Sequence, residues 1–327
     1  MLLTIQYPSW IHPEIIPGIP FLRWYGFMYL VAFSVAFILF RIQLNKGELQ
    51  HYAKSAKRIT IEDVLDYFTW SLSGLLIGAR IFATLVYEPS WIYWQNPWLI
   101  FWPFSATHGW VGLQGMSYHG GFIGCFMGAL LWTKKRKQPF FAWADTACAG
   151  IPLGYTFGRI GNFLNGELYG RITASPIGMI FPSVPLHDCF PAKEAWVQAF
   201  AQKAGITIQE GAQYVNLPRH PSQLYEALFE GIVLWLIVWT VRNKKPFNGF
   251  LLCLYSIGYG IVRFGIEYFR QPDYELGFRI AHTEAPIYLN SSWRNISTGQ
   301  ILCFLMIAGG LLAMAALAWY HKRHAKQ

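Results

Sequence analysis

Apolar and polar positions alternate on a coarse scale in this chain, with long apolar runs separated by polar interruptions. A helix needs about 20 mostly apolar residues to cross a hydrocarbon core about 30 Å thick. Seven runs reach that length approximately: 22–41, 64–86, 112–133, 141–163, 224–241, 249–268 and 300–320. They predict an all-α polytopic membrane protein with seven transmembrane helices. The longest interruption, 164–223, is rich in Pro and Gly around Pro176–Pro191 and helix-like over Ala192–Ala204. It reads as a small extramembrane subdomain inserted into a single membrane domain of residues 1–327. The runs show no internal repeat, which argues against the inverted-repeat plan of many transporters.

Basic residues orient the runs. Fifteen Lys and Arg lie in 41–63, 134–137, 242–245 and the C-terminal tail. The opposite side has seven, all in the two long loops 164–223 and 269–299, and none in 1–21 or 87–111. The positive-inside rule then puts the N-terminus outside and the C-terminus in the cytoplasm, as an odd number of crossings requires. The loop 87–111 carries Trp91, Tyr93, Trp94, Trp98, Phe101 and Trp102, rings that favour the headgroup level and predict an in-plane element.

Composition supports this frame. The chain is 54% hydrophobic and only 13% charged, against about 25% charged in a soluble domain. The net charge of +9 falls between apolar runs, so a nucleic-acid partner is not expected. The first run lacks a preceding Lys or Arg, so no cleavable signal peptide is expected. Cys125, Cys148, Cys253 and Cys303 lie in apolar runs and only Cys189 lies in a polar loop, which implies no disulfide framework. No Cys/His spacing suits a metal, and no cofactor is implied.

Polar residues inside the apolar runs narrow the chemistry. At 1.5 Å per residue, His119 and Arg263 lie roughly 21 Å from the cytoplasmic edge and Arg159 roughly 27 Å. Glu267 is one turn above Arg263, and Tyr25 is near the outer end of the first run. Four helices therefore set their least apolar residues at one level in the outer half of the bilayer. Simpler explanations stand beside this one. Arg263 and Glu267, spaced i and i+4, neutralise each other; Arg159 pairs with Glu167; His119 satisfies a carbonyl where helices pack closely beside Gly120-Gly121; Tyr25 is an interfacial ring. Convergence on one level favours a site. Two guanidinium forks match phosphate oxygens, and Asn162 and Asn165 supply amide donors suited to glycerol hydroxyls or further oxygens. An imidazole takes a proton near neutral pH. A phospholipid headgroup is the natural ligand.

The tract Gly158-Arg159-Ile160-Gly161-Asn162-Phe163-Leu164-Asn165-Gly166-Glu167-Leu168-Tyr169-Gly170 resembles the signature of bacterial prolipoprotein diacylglyceryl transferases. Further blocks in family order support the resemblance. They are Trp24-Tyr25-Gly26, Met116-Ser117-Tyr118-His119-Gly120-Gly121, His220-Pro221-Ser222-Gln223-Leu224-Tyr225-Glu226, and Gly258-Tyr259-Gly260 running on to Arg263, Glu267 and Arg270-Gln271-Pro272-Asp273. The resemblance implies a multi-pass enzyme of the bacterial inner membrane whose site opens to the periplasmic leaflet. It implies transfer of the diacylglyceryl group of phosphatidylglycerol to the lipobox cysteine in the signal peptide of a preprolipoprotein. By motif position, Arg159 and Arg263 would hold the phosphate and His119 would be essential. Tyr25, Asn162, Asn165, Glu167, Gly170 and Glu267 would shape the substrate pocket. The segment 183–218 matches no strong motif, which leaves recognition of the peptide open. Two rival classes are a lipid transporter and an intramembrane serine protease. The first should show a polar route toward the cytoplasm, and the second a nucleophile elbow, which Ser73-Gly74 lacks.

Overall fold

The computed structural model describes residues 4–19, 22–53, 58–87, 91–102, 104–105, 109–110, 116–272, 277–282, 284 and 286–324. Most of them are helical. Nine principal helices run in order: α1 (Trp24–Asn45), α2 (Ile61–Phe82), α3 (Tyr118–Lys135), α4 (Phe140–Cys148), α5 (Ile151–Leu164), α6 (Ala195–Lys203), α7 (Ser222–Lys244), α8 (Phe250–Ile266) and α9 (Thr298–His324). By length and composition, α1, α2 with its continuation to Val86, α7 and α9 are each able to cross a membrane.

The fourth apolar run is not the continuous helix expected over 141–163. It is two helices, α4 and α5, separated at Ala149–Gly150. Pro152 has no N–H to continue a helix from α4 and is tolerated in the first turn of α5, where a donor is orphaned anyway. An apolar count does not register that break.

Helix ends follow local chemistry. Thr60 and Asp63 cap α2 reciprocally, side chain to backbone in both directions. Ser117 caps α3 by accepting from Gly120 N at 3.1 Å. Gly249, at φ 97°, supplies the left-handed turn into α8. Ser297 and Gln300 form a second reciprocal cap at the start of α9. Within α7, residues Glu226–Val233 form a π-helical stretch, a wider turn often found at functional sites.

The chain divides into two compact units, Phe40–Thr146 and the rest. In the first, α2 and α3 pack backbone to backbone. A Cβ at Gly124 would lie 2.0 Å from Gly74 O, and one at Gly78 would lie 2.4 Å from Gly120 O. Glycines four apart on both helices thus make the small-residue seam typical of membrane helix pairs. The close packing that the sequence suggests at Gly120 is therefore present. Phe40, Tyr67, Trp132 and Trp143 fill the unit with a buried aromatic cluster. The aromatic loop holds two short helices, Trp91–Gln95 and Pro97–Phe101, with Trp91, Trp94 and Trp98 exposed.

In the second unit, α5 lies against α1 through Gly154 and Ala32, and against the π-helical stretch through Thr156 and Gly231. α8 packs on α9 where Gly260 meets Ile307 and Gly310 meets Ile257. Much of α9 carries exposed Leu and Phe, as a helix facing lipid would. The segment 164–223 contributes to a small apolar core of its own, in which Ile172, Phe190, Val197, Ala201 and Leu217 are buried. Residues outside that segment help close it. Ile5–Gln6 pairs in parallel with Met179–Ile180, and Tyr288 and Leu289 pack on the cluster.

Candidate active site

Three helices of the second unit each present a polar stripe at helical spacing. Tyr155, Arg159 and Asn162 follow one another on α5, Glu226 and Glu230 on the π-helical part of α7, and Tyr259 and Arg263 on α8, with Glu267 and Arg270 just beyond its end. Spacings of three and four residues put such groups on one face. The stripes meet in a buried charge network.

Glu226 is its hub. Its Oε2 lies 2.8 Å from Arg159 Nε and 3.1 Å from Arg263 Nη1, and its Oε1 lies 3.8 Å from Arg270 Nε. Arg263 extends further, with Nη1 3.6 Å from Glu230 Oε1 and Nη2 3.1 Å from Glu267 Oε2. Tyr155 joins the groups: its hydroxyl accepts from Arg159 Nε at 2.6 Å and donates to Glu230 Oε2 at 2.5 Å. The Tyr155 ring also lies under the Arg159 guanidinium, 4.7 Å from its carbon. Glu226, Glu230 and Glu267 are 1%, 0% and 3% exposed, so each needs a partner that water does not supply.

The residues expected from sequence fall into place unequally. Arg159 and Arg263 come together on Glu226, although 104 positions separate them in the chain. The i, i+4 pair of Arg263 and Glu267 is present, but it is one arm of a larger network. Arg159 does not pair directly with Glu167. Its Nη1 donates to Asn162 Oδ1 at 3.2 Å, and Asn162 Nδ2 donates to Glu167 Oε1 at 2.9 Å, so the amide relays between them. Tyr25, Asn165 and Glu167 line one cavity of about 450 Å³ with Arg23 and Gly26. Among the described residues, Asn165 Oδ1 is buried there without a hydrogen-bond partner. The Tyr25 hydroxyl is 3.1 Å from that of Tyr29. His119 is in the first turn of α3, and its side chain lies outside the described residues.

Gly170 acts through the backbone. Its N–H donates to His220 O, and Arg171 N–H donates to Phe269 O, so the end of the signature runs between the segment before α7 and the chain leaving α8. A Cβ at Gly170 would lie 2.3 Å from Phe269 O and 2.8 Å from His220 Cβ. Only glycine fits that approach. Next to it, Arg171 donates from Nε to Arg270 O at 2.9 Å and from Nη2 to Glu267 O at 3.3 Å. These carbonyls end α8, where a cation is favourable. Burial lowers Arg171 to about 10 against the opposing charge of Glu267, which still leaves it protonated at neutral pH. Ser297, capping α9, donates to Glu267 Oε1 at 3.0 Å, so the network is anchored from this side as well.

His220 sits beside this junction, its Nδ1 3.1 Å from the Tyr225 hydroxyl. Burial, with the Arg171 charge adding to it, lowers its pKa to about 4. The folded protein thus refuses a proton that the unfolded chain accepts near 6.5, and stability present above 6.5 is lost as pH falls toward 4. Unfolding midpoints of the purified protein, followed by tryptophan fluorescence, should fall between pH 7 and pH 5. His220→Asn should lessen that fall, and an equal fall in the variant would remove His220 as its source.

Glu226, Glu230, Arg270, Tyr155 and Arg171 carry no role in the sequence reading, although Glu226 and Arg270 stand inside its motifs. The available signal is the pair Glu226/Glu230, four apart at the start of an apolar run, matching the spacing of Arg263 and Glu267.

Fold and site together define a helical membrane protein with a buried arginine–carboxylate centre built from three helices. The prolipoprotein diacylglyceryl transferase family profile matches residues 15–316, and the chain belongs to that family. It is 63% identical to the phosphatidylglycerol–prolipoprotein diacylglyceryl transferase of Treponema pallidum over 324 residues, covering 98% of each chain. The protein of the same name from Treponema denticola is 60% identical, with 99% and 97% covered, and that from Chlorobaculum tepidum 42%, with 97% and 92% covered.

Proposed function

We propose that this chain transfers the diacylglyceryl group of phosphatidylglycerol to the lipobox cysteine of a preprolipoprotein, the first step of lipoprotein maturation. The observation that carries the reading is the meeting of Arg159 and Arg263 on one buried carboxylate, within a chain that matches the family almost end to end. Two guanidinium groups held side by side suit a phosphodiester.

The acceptor thiol, with an ordinary pKa near 8.5, must lose its proton. His119 supplies an imidazole for that step, on the strength of its motif. The sulfur then attacks the glycerol carbon bearing the phosphate. A C–S bond forms, the C–O bond breaks, and glycerol phosphate leaves with the electron pair. Arg159 and Arg263 stabilise the charge gathering on the departing oxygens. Asn162, Asn165, Glu167, Tyr25 and Glu267 shape the pocket around the donor, and Gly170 holds its backbone frame.

The protein sits in the bacterial inner membrane with seven crossings, the fourth made by α4 and α5 together. The N-terminus is outside, the C-terminus is in the cytoplasm, and the site faces the periplasmic leaflet, where 164–223 forms a small subdomain. Basic residues in the short loops support this orientation.

Purified protein incubated with phosphatidylglycerol labelled in its glycerol backbone and a lipobox peptide should move label to the cysteine as an alkali-stable thioether. Glycerol phosphate should appear in equal amount. Label moved across vesicles with the peptide unmodified would instead indicate a transporter.

A further inference from the structure

We infer that Glu230 carries a proton while the donor phosphate is bound, and that Tyr155 and Glu230 together are positioning residues for Arg159 and Arg263. The inference rests on the functional reading above and deepens it. The network contains three arginines, Arg159, Arg263 and Arg270, and three glutamates, Glu226, Glu230 and Glu267. Their formal charges cancel. A phosphodiester adds one negative charge to groups already withdrawn from water, where an unbalanced charge is strongly disfavoured. A proton on one carboxylate restores the balance.

Geometry selects which carboxylate. Glu226 has guanidinium nitrogens at 2.8 and 3.1 Å, and Glu267 has one at 3.1 Å and the Ser297 hydroxyl at 3.0 Å. Glu230 has its nearest guanidinium nitrogen at 3.6 Å, and its close partner is the neutral Tyr155 hydroxyl at 2.5 Å. It is also fully buried. The charged and titratable groups around it are Tyr155 and Arg159 from α5, Glu226 from its own helix, Tyr259, Arg263 and Glu267 from α8 and its end, and Cys303 from α9. An incoming phosphate that draws Arg263 to itself takes from Glu230 its nearest guanidinium. Tyr155 keeps its place in either state, since it can give a hydrogen bond to Glu230 while receiving one from Arg159.

The test is equilibrium binding of a short-chain phosphatidylglycerol to the full-length protein in detergent, without acceptor peptide, from pH 7.5 to 9.5. Uptake of one proton weakens binding by up to about tenfold per pH unit. The wild-type protein should show such a slope. Glu230→Gln, an uncharged stand-in for the acid, should bind with no slope and near the wild-type affinity at pH 7.5. Glu230→Ala should bind weakly at every pH. Tyr155→Phe should raise KM for the lipid more than it lowers kcat. A flat wild-type profile, an unchanged slope in Glu230→Gln, or a folded Glu230→Gln as weak as Glu230→Ala would each overturn the inference while leaving the transferase reading intact. A wild-type protein that neither binds phosphatidylglycerol nor transfers from it at any pH would overturn both.

Discussion

Replacing Arg159 by Ala is expected to reduce diacylglyceryl transfer by about a hundredfold to a thousandfold, the range seen when one donor to a developing oxyanion is removed. Arg159 is held on three sides: under its plane by the Tyr155 ring, at Nε by the Tyr155 hydroxyl and Glu226, and at Nη1 by Asn162. That fixation leaves its outer edge to a ligand in a set direction. Arg159→Lys should fail nearly as badly, because a point charge cannot keep those contacts and also meet two phosphate oxygens. Folding should survive, since Glu226 retains Arg263 and Arg270 as counter-ions. Initial rates with the labelled lipid, together with size-exclusion profile and unfolding midpoint, check both halves. Near-normal turnover in Arg159→Ala would remove the guanidinium from the phosphate site.

The second large effect is expected from the smallest change. Gly170→Ala adds one methyl group where a carbonyl oxygen stands 2.3 Å away and a second backbone oxygen, His220 O, 2.9 Å away. Neither is the tip of a flexible side chain, so the segment 169–172 must part from Phe269 or from His220. The cost of overpacking is typically about 1–3 kcal/mol, and here it falls on the junction that sets Glu267 and Arg270 through Arg171. Activity should fall to background, with the unfolding midpoint lowered as well. A variant with wild-type rate and midpoint would show that the junction yields without consequence. Gly158 offers a control on a neighbouring glycine. A Cβ there meets nothing within 4 Å, and Gly158→Ala should be tolerated.

Much of this architecture is legible in the order of residues. The described residues of six apolar runs lie largely in one helix each, the fourth run is two helices, and Arg159 and the pair Arg263 and Glu267 meet as their depth along two separate runs suggests. The rest is hidden for identifiable reasons. Hydropathy is blind to Ala149-Gly150 and Pro152, so α4 and α5 merge into one run. Glu226 stands at the head of an apolar run, where a carboxylate ordinarily faces water, and only contact with Arg159 and Arg263 reveals it as the centre. Gly170 reads as a pocket residue because it lies in the signature, whereas its role is to let three chain segments touch. The segment 183–218 has no motif because it contributes ordinary apolar residues to a core that Ile172, Tyr288 and Leu289 complete.

The π-helical stretch at the head of α7 has one more consequence. Over Glu226–Val233 the backbone follows the wider i to i+5 pattern, and only from Leu234 does the ordinary helix resume. The two halves of this rod therefore keep different phases, one aimed at ionic partners and the other at oily neighbours. Deleting a single residue between them would let the rod tighten into a regular coil, and the wide turn that carries Glu226 and Glu230 would be lost. An extra residue, ordinarily a flaw in a helix, is here what lets one continuous segment serve two surroundings at once.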